Sequence, residues 1–99
     1  MKKLILLLLI LLIPVLALAQ TAEDYYDRGA TKGKLGDYRG AIQDSNKAIE
    51  LSPNHANAHG TRGLAKISLG QKESDCLDLS KAGELGDMDA YDLIKKFCQ

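Results

Sequence analysis

The sequence has no run of basic residues longer than two, and its charges are balanced. Thirteen Lys and Arg residues face thirteen Asp and Glu residues. Beyond Lys2 and Lys3, the longest basic block is Lys95-Lys96, and acidic and basic side chains are interspersed. No positive surface is therefore expected to attract a phosphate backbone, and nucleic acid is not an expected partner.

The sequence also lacks the short motifs by which catalytic sites are recognised. It has no glycine-rich phosphate loop and no serine in a nucleophile elbow. We interpret its C-terminal aspartates as solvated helix faces or helix-start caps; they are Asp75, Asp78, Asp87, Asp89 and Asp92. We therefore expect that the protein is not an enzyme and that it needs no cofactor.

Histidine is scarce, and the two histidines lie four residues apart. At this spacing His55 and His59 could present two imidazoles to one metal ion from one helix face. Two ligands do not make a site, and no carboxylate lies at a supporting interval. We favour packing for His59 and solvent exposure for His55, and keep a small metal binder as a minor alternative.

One long apolar run is present, at the N-terminus. It follows Lys2 and Lys3, extends over 16 residues from Leu4 to Ala19, and ends in the small-x-small sequence Ala17-Leu18-Ala19. Because a membrane-spanning helix needs roughly 18 to 20 apolar residues, a signal peptide is favoured over an anchor. We predict a signal peptide at residues 1–19, cleaved before Gln20, and a periplasmic or secreted protein.

Strand-type alternation of apolar and polar residues is absent after residue 20, so no strand is expected. Helix signals are present instead. Thr21 and Asp24 form a capping-box pattern, Gly36 and Asp37 separate the first two helices, and Asn54 is placed to cap the third. Five helices are predicted, at residues 22–35, 38–51, 55–69, 72–83 and 88–98.

The chain repeats itself with a period of 34 residues. Eleven positions of the segment that begins at Ala22 are matched 34 residues later. They include Gly29, a glycine inside the first helix. Glycine destabilises a helix interior relative to alanine, so we expect it to allow a close contact with the small residues Ala41 and Ala48 of the second helix. In the last two helices, apolar residues mark the expected inward faces: Cys76, Leu79 and Ala82, then Ala90, Tyr91, Ile94, Phe97 and Cys98.

These residues resemble the tetratricopeptide repeat family. The family pattern is matched by Tyr25, Gly29, Ala41, Ala48 and Pro53, and by the turn Gly36-Asp37-Tyr38. The chain departs from that pattern in both repeats. In the first, Arg28 and Ser45 replace a leucine and an aromatic residue. In the second, an aromatic residue, an alanine and the proline are replaced by His59, Asp75 and Asp87.

The resemblance implies an all-α solenoid of antiparallel helix pairs. It places a domain at residues 20–99, with repeats at 22–55 and 56–88 and a capping helix at 88–98. It also implies a concave groove that binds a protein or peptide. The groove positions carried over are Glu23, Tyr26, Ala30, Lys34, Asn57, Gly60, Leu64 and Ile67. The family's carboxylate clamp is not matched, since Lys34 and Asn57 do not occupy its positions.

The two cysteines are expected to pair. An even count in an exported small domain favours a disulfide. If the fourth and fifth helices form a hairpin, Cys76 and Cys98 differ in axial position by only roughly 4.5 Å. Buried free thiols are the alternative, and the absence of a C-x-x-C motif indicates a structural bond without redox catalysis.

Three functions remain open from the sequence. The first is an exported protein-interaction module, which we favour. The second is a structural accessory that completes a larger solenoid or a homo-oligomer, since two repeats and a cap are fewer than the three repeats usually needed. The third is the small metal binder that would use His55 and His59.

Overall fold

Five α-helices follow one another after residue 20 in the computed structural model, which describes residues 2–6 and 20–98 and, for residues 72–75, the backbone alone. They are α1 (Ala22–Lys34), α2 (Tyr38–Leu51), α3 (Ala56–Ser68), α4 (Lys72–Glu84) and α5 (Asp89–Phe97). Residues 2–6 are also helical. The predicted helices are confirmed within one or two residues at each end, and the described residues contain no strand.

The predicted signal peptide falls mostly outside this description. Residues 7–19, with the cleavage site at Ala17-Leu18-Ala19, lie outside the described residues. Within the part of the chain that is described, no helix is both long enough and apolar enough to cross a membrane.

Side-chain caps begin the first three helices. At α1 the predicted capping box is confirmed: the Asp24 amide donates to Thr21 Oγ1 at 3.2 Å, and the Thr21 amide donates to Asp24 Oδ2 at 3.0 Å. At α2 the Gly40 amide donates to Asp37 Oδ1. The prediction for α3 was wrong by one residue, because the Ala58 amide donates to Nδ1 of His55 and not to Asn54.

Three glycines with positive φ end α1, α3 and α4. Gly36, Gly70 and Gly86 have φ values of 85°, 81° and 110°. After the first of them, the Asp37 amide donates to the Lys32 carbonyl at 2.8 Å, and equivalent bonds follow the other two. This left-handed turn satisfies helix-end carbonyls and is one that glycine adopts without strain.

Each helix packs against the next, and α1 also lies beside α3. The chain therefore forms two antiparallel helix pairs, α1 with α2 and α3 with α4, followed by α5. The buried apolar core consists mainly of small residues: Ala41, Ala48, Ala58, Ala65, Leu79, Ala82 and Ala90. Small side chains let the helices approach closely, so close backbone contact makes up for limited apolar bulk.

Gly29 marks a close approach of the two helices in the first pair. A Cβ atom at Gly29 would lie 3.1 Å from Asp44 Cβ and 3.2 Å from the Ala41 carbonyl oxygen. The predicted contact with Ala41 is confirmed. The other near neighbours are Asp44 and Ser45, and Ala48 is buried without being among them.

Helix α5 covers the end of the stack by packing on α4. The structure places the sulfur atoms of Cys76 and Cys98 at bonding distance, with Cα atoms 5.8 Å apart. Leu79, Ala82 and Ala90 are buried as predicted, whereas Cys76 is only partly covered. The expectation that Tyr91 is a core residue was wrong, since it is 49% exposed, although its ring lies against Gly83.

Candidate protein-binding groove

A groove runs between α1 and α3. Its first part is a cavity of about 320 Å³. Tyr26, Ala30 and Lys34 line one wall because residues four apart on a helix share a face. The rest of the lining is Gly33, Tyr38, Thr61, Leu64, Ala65 and Ser68.

A second cavity of about 330 Å³ continues the first toward the capping helix. The two share Tyr26, Thr61 and Leu64, so they form one surface, which we call the groove. The second cavity is also lined by Asn57 and Gly60 from α3, by Asp87 from the turn between α4 and α5, and by Asp89 and Leu93 from α5.

Most residues that the resemblance assigned to the concave face lie together here. The groove is lined by Tyr26, Ala30, Lys34, Asn57, Gly60 and Leu64. Glu23 and Ile67 do not line either cavity. The structure thus gathers six of the eight assigned residues into one surface, and what that surface binds stays a prediction.

Several lining residues were missed by the sequence reasoning. Thr61 and Ser68 lie three before and four after Leu64, so helical spacing could have identified them. Asp87, Asp89 and Leu93 carry no such signal, because their place in the groove depends on how α5 docks against the rest of the stack.

A histidine fixes Tyr26 at the shared part of the groove. His55 uses Nδ1 to accept from the Ala58 amide, so its ring proton is on Nε2, which donates to Glu23 Oε2 at 2.8 Å. The His55 and Tyr26 ring centroids lie 5.0 Å apart. The His55 side chain is only 13% exposed, so the expectation that it is solvated was wrong.

The hydroxyl of Tyr26 stays protonated over the physiological range. Burial raises the pKa of this phenol above its ordinary value, and three nearby carboxylates raise it further, those of Glu23, Asp27 and Asp87. A neutral phenol can donate a hydrogen bond to a bound group as well as offer an apolar ring face.

The second histidine is a packing residue, as expected. His59 is buried, and its Nε2 donates to the Pro53 carbonyl at 2.9 Å. Its Nδ1 is buried without a hydrogen-bond partner. His55 and His59 thus have separate hydrogen-bond partners, and the described residues include no group of three or more His, Cys, Asp or Glu side chains able to hold a metal.

Behind the groove, each helix pair is joined by a buried carboxylate with two cations. Arg28 donates to Asp44 at 2.9 and 2.7 Å, and Lys32 lies 3.1 Å from the same carboxylate. Thirty-four residues on, the same arrangement is formed by Arg62, Lys66 and Asp78. The interpretation of Asp78 as a solvated residue was wrong, since it is buried and doubly ion-paired.

Both carboxylates stay ionised because of these partners. Hydrogen bonds from Arg28 hold the pKa of Asp44 below its ordinary value, against the opposing effect of burial. Burial is the largest influence on Asp78 and would raise its pKa, but the hydrogen bonds and charges of Arg62 and Lys66 together lower it. The bond to Asp44 thus explains why an arginine, Arg28, stands where the family pattern has a leucine.

Comparison with known proteins finds relatives but no matching family model. The chain is 38% identical over 78 residues to Protein SGT1 homolog of Oryza sativa subsp. japonica, an alignment that covers 77% of this chain and 21% of the relative. It is 36% identical over 64 residues to Tetratricopeptide repeat protein 36 homolog of Nematostella vectensis, covering 65% of this chain and 35% of that protein.

A third relative is an uncharacterized protein of Methanocaldococcus jannaschii. The identity is 42% over 52 residues, which is 52% of this chain and 60% of the relative. The chain therefore spans between about a fifth and three fifths of the length of these relatives. This is distant similarity to proteins that include a tetratricopeptide repeat protein.

Proposed function

We propose that this chain is a member of the tetratricopeptide repeat family and acts as a protein-interaction module that binds a peptide segment of a partner protein. The observation that carries the proposal is the groove between α1 and α3, which is lined by the half-buried ring of Tyr26 and the exposed side chain of Leu64. The similarity to a tetratricopeptide repeat protein supports it. The function is association without chemistry of its own.

The groove is suited to binding because its walls are fixed in advance. Helix α1 is held to α2 by Arg28 and Asp44, and Tyr26 is held by His55. A preorganised surface loses little conformational entropy when a partner is ordered on it. An exposed leucine beside an aromatic ring then offers apolar area that a partner side chain can cover.

Site-specific photo-crosslinking in the producing cell tests the proposal. A photoreactive amino acid at Thr61, in the groove, is expected to give a discrete protein adduct. The same group at Leu77, which is 73% exposed on α4 and outside the groove, is the matched control and should give none. Leu64→Glu should abolish the Thr61 adduct. Equal adducts at both positions, or none at Thr61, would contradict a binding role for the groove.

We also propose that residues 1–19 are a signal peptide and that the protein is periplasmic or secreted. The basic start, the apolar run and the small-x-small sequence support this. Cysteines at bonding distance are in keeping with an oxidising compartment. The intact mass of the protein from its own cell should correspond to a chain that begins at Gln20; a mature species that retains Met1 contradicts export with cleavage.

One observation favours the alternative of a structural accessory. Arg62 donates to Asn46 of the preceding repeat, whereas Arg28 has no preceding repeat within the described residues to bind. A further repeat or a second copy at that end would complete the stack. Sedimentation measured over a wide range of concentration distinguishes the two: a stable oligomer supports this role, and a folded monomer contradicts it.

A further inference from the structure

The two ends of the groove carry opposite charges. Lys34, in the last turn of α1, lines the first cavity. Asp87 and Asp89, at the corner before α5, line the second. Within the described residues none of these three side chains has an ion-pair partner, although the cations behind the groove are paired with Asp44 and Asp78. The groove therefore presents unneutralised charge at both ends.

The surface between these ends is mainly apolar, with Thr61 as a polar residue shared by both cavities. Ala30, Leu64 and the ring of Tyr26 line it, and Leu93 lies at the acidic end. An apolar floor bounded by charges of opposite sign fits a ligand with the complementary order: a cation, then apolar groups, then an anion. Such rim charges determine which ligand binds and in which register more than how tightly it binds.

The acidic end is positioned by a close contact with α3. A Cβ atom at Gly60 would lie 2.9 Å from Asp87 Oδ2, so glycine lets this carboxylate approach the helix. The Asp89 amide donates to Asp87 Oδ1 at 3.2 Å. Asp87 is therefore held against the groove floor, and the exposed side chain of Asp89 is left to meet a ligand.

The distance between the charged ends sets the length of the ligand. Gly60 marks the acidic end on α3 and Ser68 lies in the cavity that contains Lys34, and eight helical residues span about 12 Å. An extended peptide advances about 3.3 Å per residue, so about four residues fit between the ends. A helical ligand would need about eight residues to cover the same distance and is about 10 Å wide with its side chains.

Building on the proposed function, we propose that the groove binds an extended peptide segment in which a basic side chain and a carboxylate are three or four residues apart and flank apolar residues. The basic side chain lies between Asp87 and Asp89, the apolar side chains lie over Tyr26 and Leu64, and the carboxylate lies at Lys34. The carboxylate belongs to an acidic side chain or to a free C-terminus.

Selection from a random heptapeptide library on the protein purified from its producing cell provides the test. Enriched peptides are expected to share opposite charges three or four residues apart with apolar residues between. Two libraries, one with free and one with amidated C-termini, distinguish the source of the carboxylate. Enrichment restricted to free C-termini assigns the terminal carboxylate, and enrichment in both assigns an acidic side chain.

Charge reversal gives the decisive measurement. For an enriched peptide labelled with fluorescein, Asp89→Lys and Lys34→Glu are each expected to lower affinity about fivefold, the upper range for an exposed ion pair. Reversing the matching charge in the peptide should restore binding. The controls are Asp92→Lys, in the same first turn of α5, and Lys81→Glu, in the last turn of α4; neither residue lines the groove.

The outcomes separate this inference from the proposed function. Peptides that depend on Leu64 but show no charge preference, or that bind equally to the reversed variants, overturn the inference and leave groove binding intact. Peptides whose binding is unaffected by Leu64→Glu, or no enrichment at all, overturn both. Restored binding by the charge-reversed peptide, with unchanged binding to both controls, establishes the proposed register.

Discussion

The two repeats contain the same charged triad with nearly the same distances, but its cations are buried to different extents. Arg28 and Lys32 are 48% and 34% exposed, whereas Arg62 and Lys66 are 21% and 20% exposed. In both repeats the arginine lies 16 residues before the aspartate that it binds. The repeated sequence therefore fixes the geometry of the pair, and its surroundings in the stack fix how far water reaches it.

The reason for the difference is the neighbour on each side. The second repeat lies between the first repeat and α5, and Arg62 also donates to Asn46 across the boundary between repeats at 2.9 Å. Arg28 has only one repeat beside it in the described residues. Both carboxylates are buried, but the cations of the first triad are partly solvated and those of the second are mostly covered. This difference changes what removal of each carboxylate should cost.

The largest expected effect comes from removing the carboxylate of the second triad. Asp78→Ala should lower the free energy of unfolding by about 3 to 5 kcal/mol, because it leaves two poorly hydrated cations without a partner. Asp44→Ala should cost less, about 1.5 to 3 kcal/mol, since water can reach Arg28 and Lys32 in its place. Urea denaturation measures both.

Two further variants make this comparison interpretable. Asp92→Ala, on the exposed side of α5, should change stability little and controls for loss of a carboxylate. If Asp78→Ala does not fold, the variants Asp78→Asn and Asp44→Asn can be compared instead, because each should lower the free energy of unfolding by less than the alanine variant. Equal losses for the two triads would show that burial in the stack does not determine their contribution.

The next effect is expected from the cysteine pair, which belongs to the second repeat and its cap alone. Closing the chain between Cys76 and Cys98 should stabilise the fold by about 3 kcal/mol in the chain-entropy model. Cys98→Ser should therefore lower stability by this amount and expose amides of α5 and α4 to hydrogen exchange first. Because the first helix pair lies apart from the bond, its local protection should change least.

Mass spectrometry of unreduced peptides checks the bond itself. The peptides that contain Cys76 and Cys98 should be found linked in protein from its own cell, and two freely alkylated thiols would contradict the pairing. Uniform loss of protection over both repeats in Cys98→Ser would instead show that the two repeats unfold as one unit.

Much of the fold could be predicted because its signals are local. Thr21, Asp37 and Gly36 act within one turn of chain, so sequence alone located the helix ends. The error at Asn54 has the same origin, since a histidine at the next position can also accept from an amide and the local pattern does not choose between them.

The parts that were missed depend on contacts between distant segments. The sequence around Asp78 is typical of a solvated helix residue. Only the packing of α3 on α4 places Arg62 and Lys66 beside its carboxylate. The recurrence of Arg, Lys and Asp at 34-residue spacing was visible and could have suggested the triad. The acidic end of the groove could not be found this way, because Asp87 and Asp89 reach it only through the docking of α5.

The smallest expected change in stability concerns two glycines one turn apart in α1, of which only one has a glycine counterpart in the second repeat. The second repeat has glycine at the position of Gly29, but Ile67 at the position of Gly33. A Cβ atom at Gly33 would be 3.8 Å from Ala41 Cβ, an ordinary contact, whereas one at Gly29 meets the Ala41 carbonyl and Asp44, which Arg28 and Lys32 hold in place.

Gly33→Ala should therefore stabilise the protein by up to about 1 kcal/mol through helix propensity. Gly29→Ala offers the same gain in propensity but forces α1 and α2 apart, and overpacking costs about 1 to 3 kcal/mol, so its net effect should be zero or destabilising. Urea midpoints of the two variants, measured beside Gln43→Ala on the exposed face of α2, decide the matter. A gain at Gly29 equal to that at Gly33 would show that the helix pair yields at its closest contact, and that glycine at this position in both repeats has another cause.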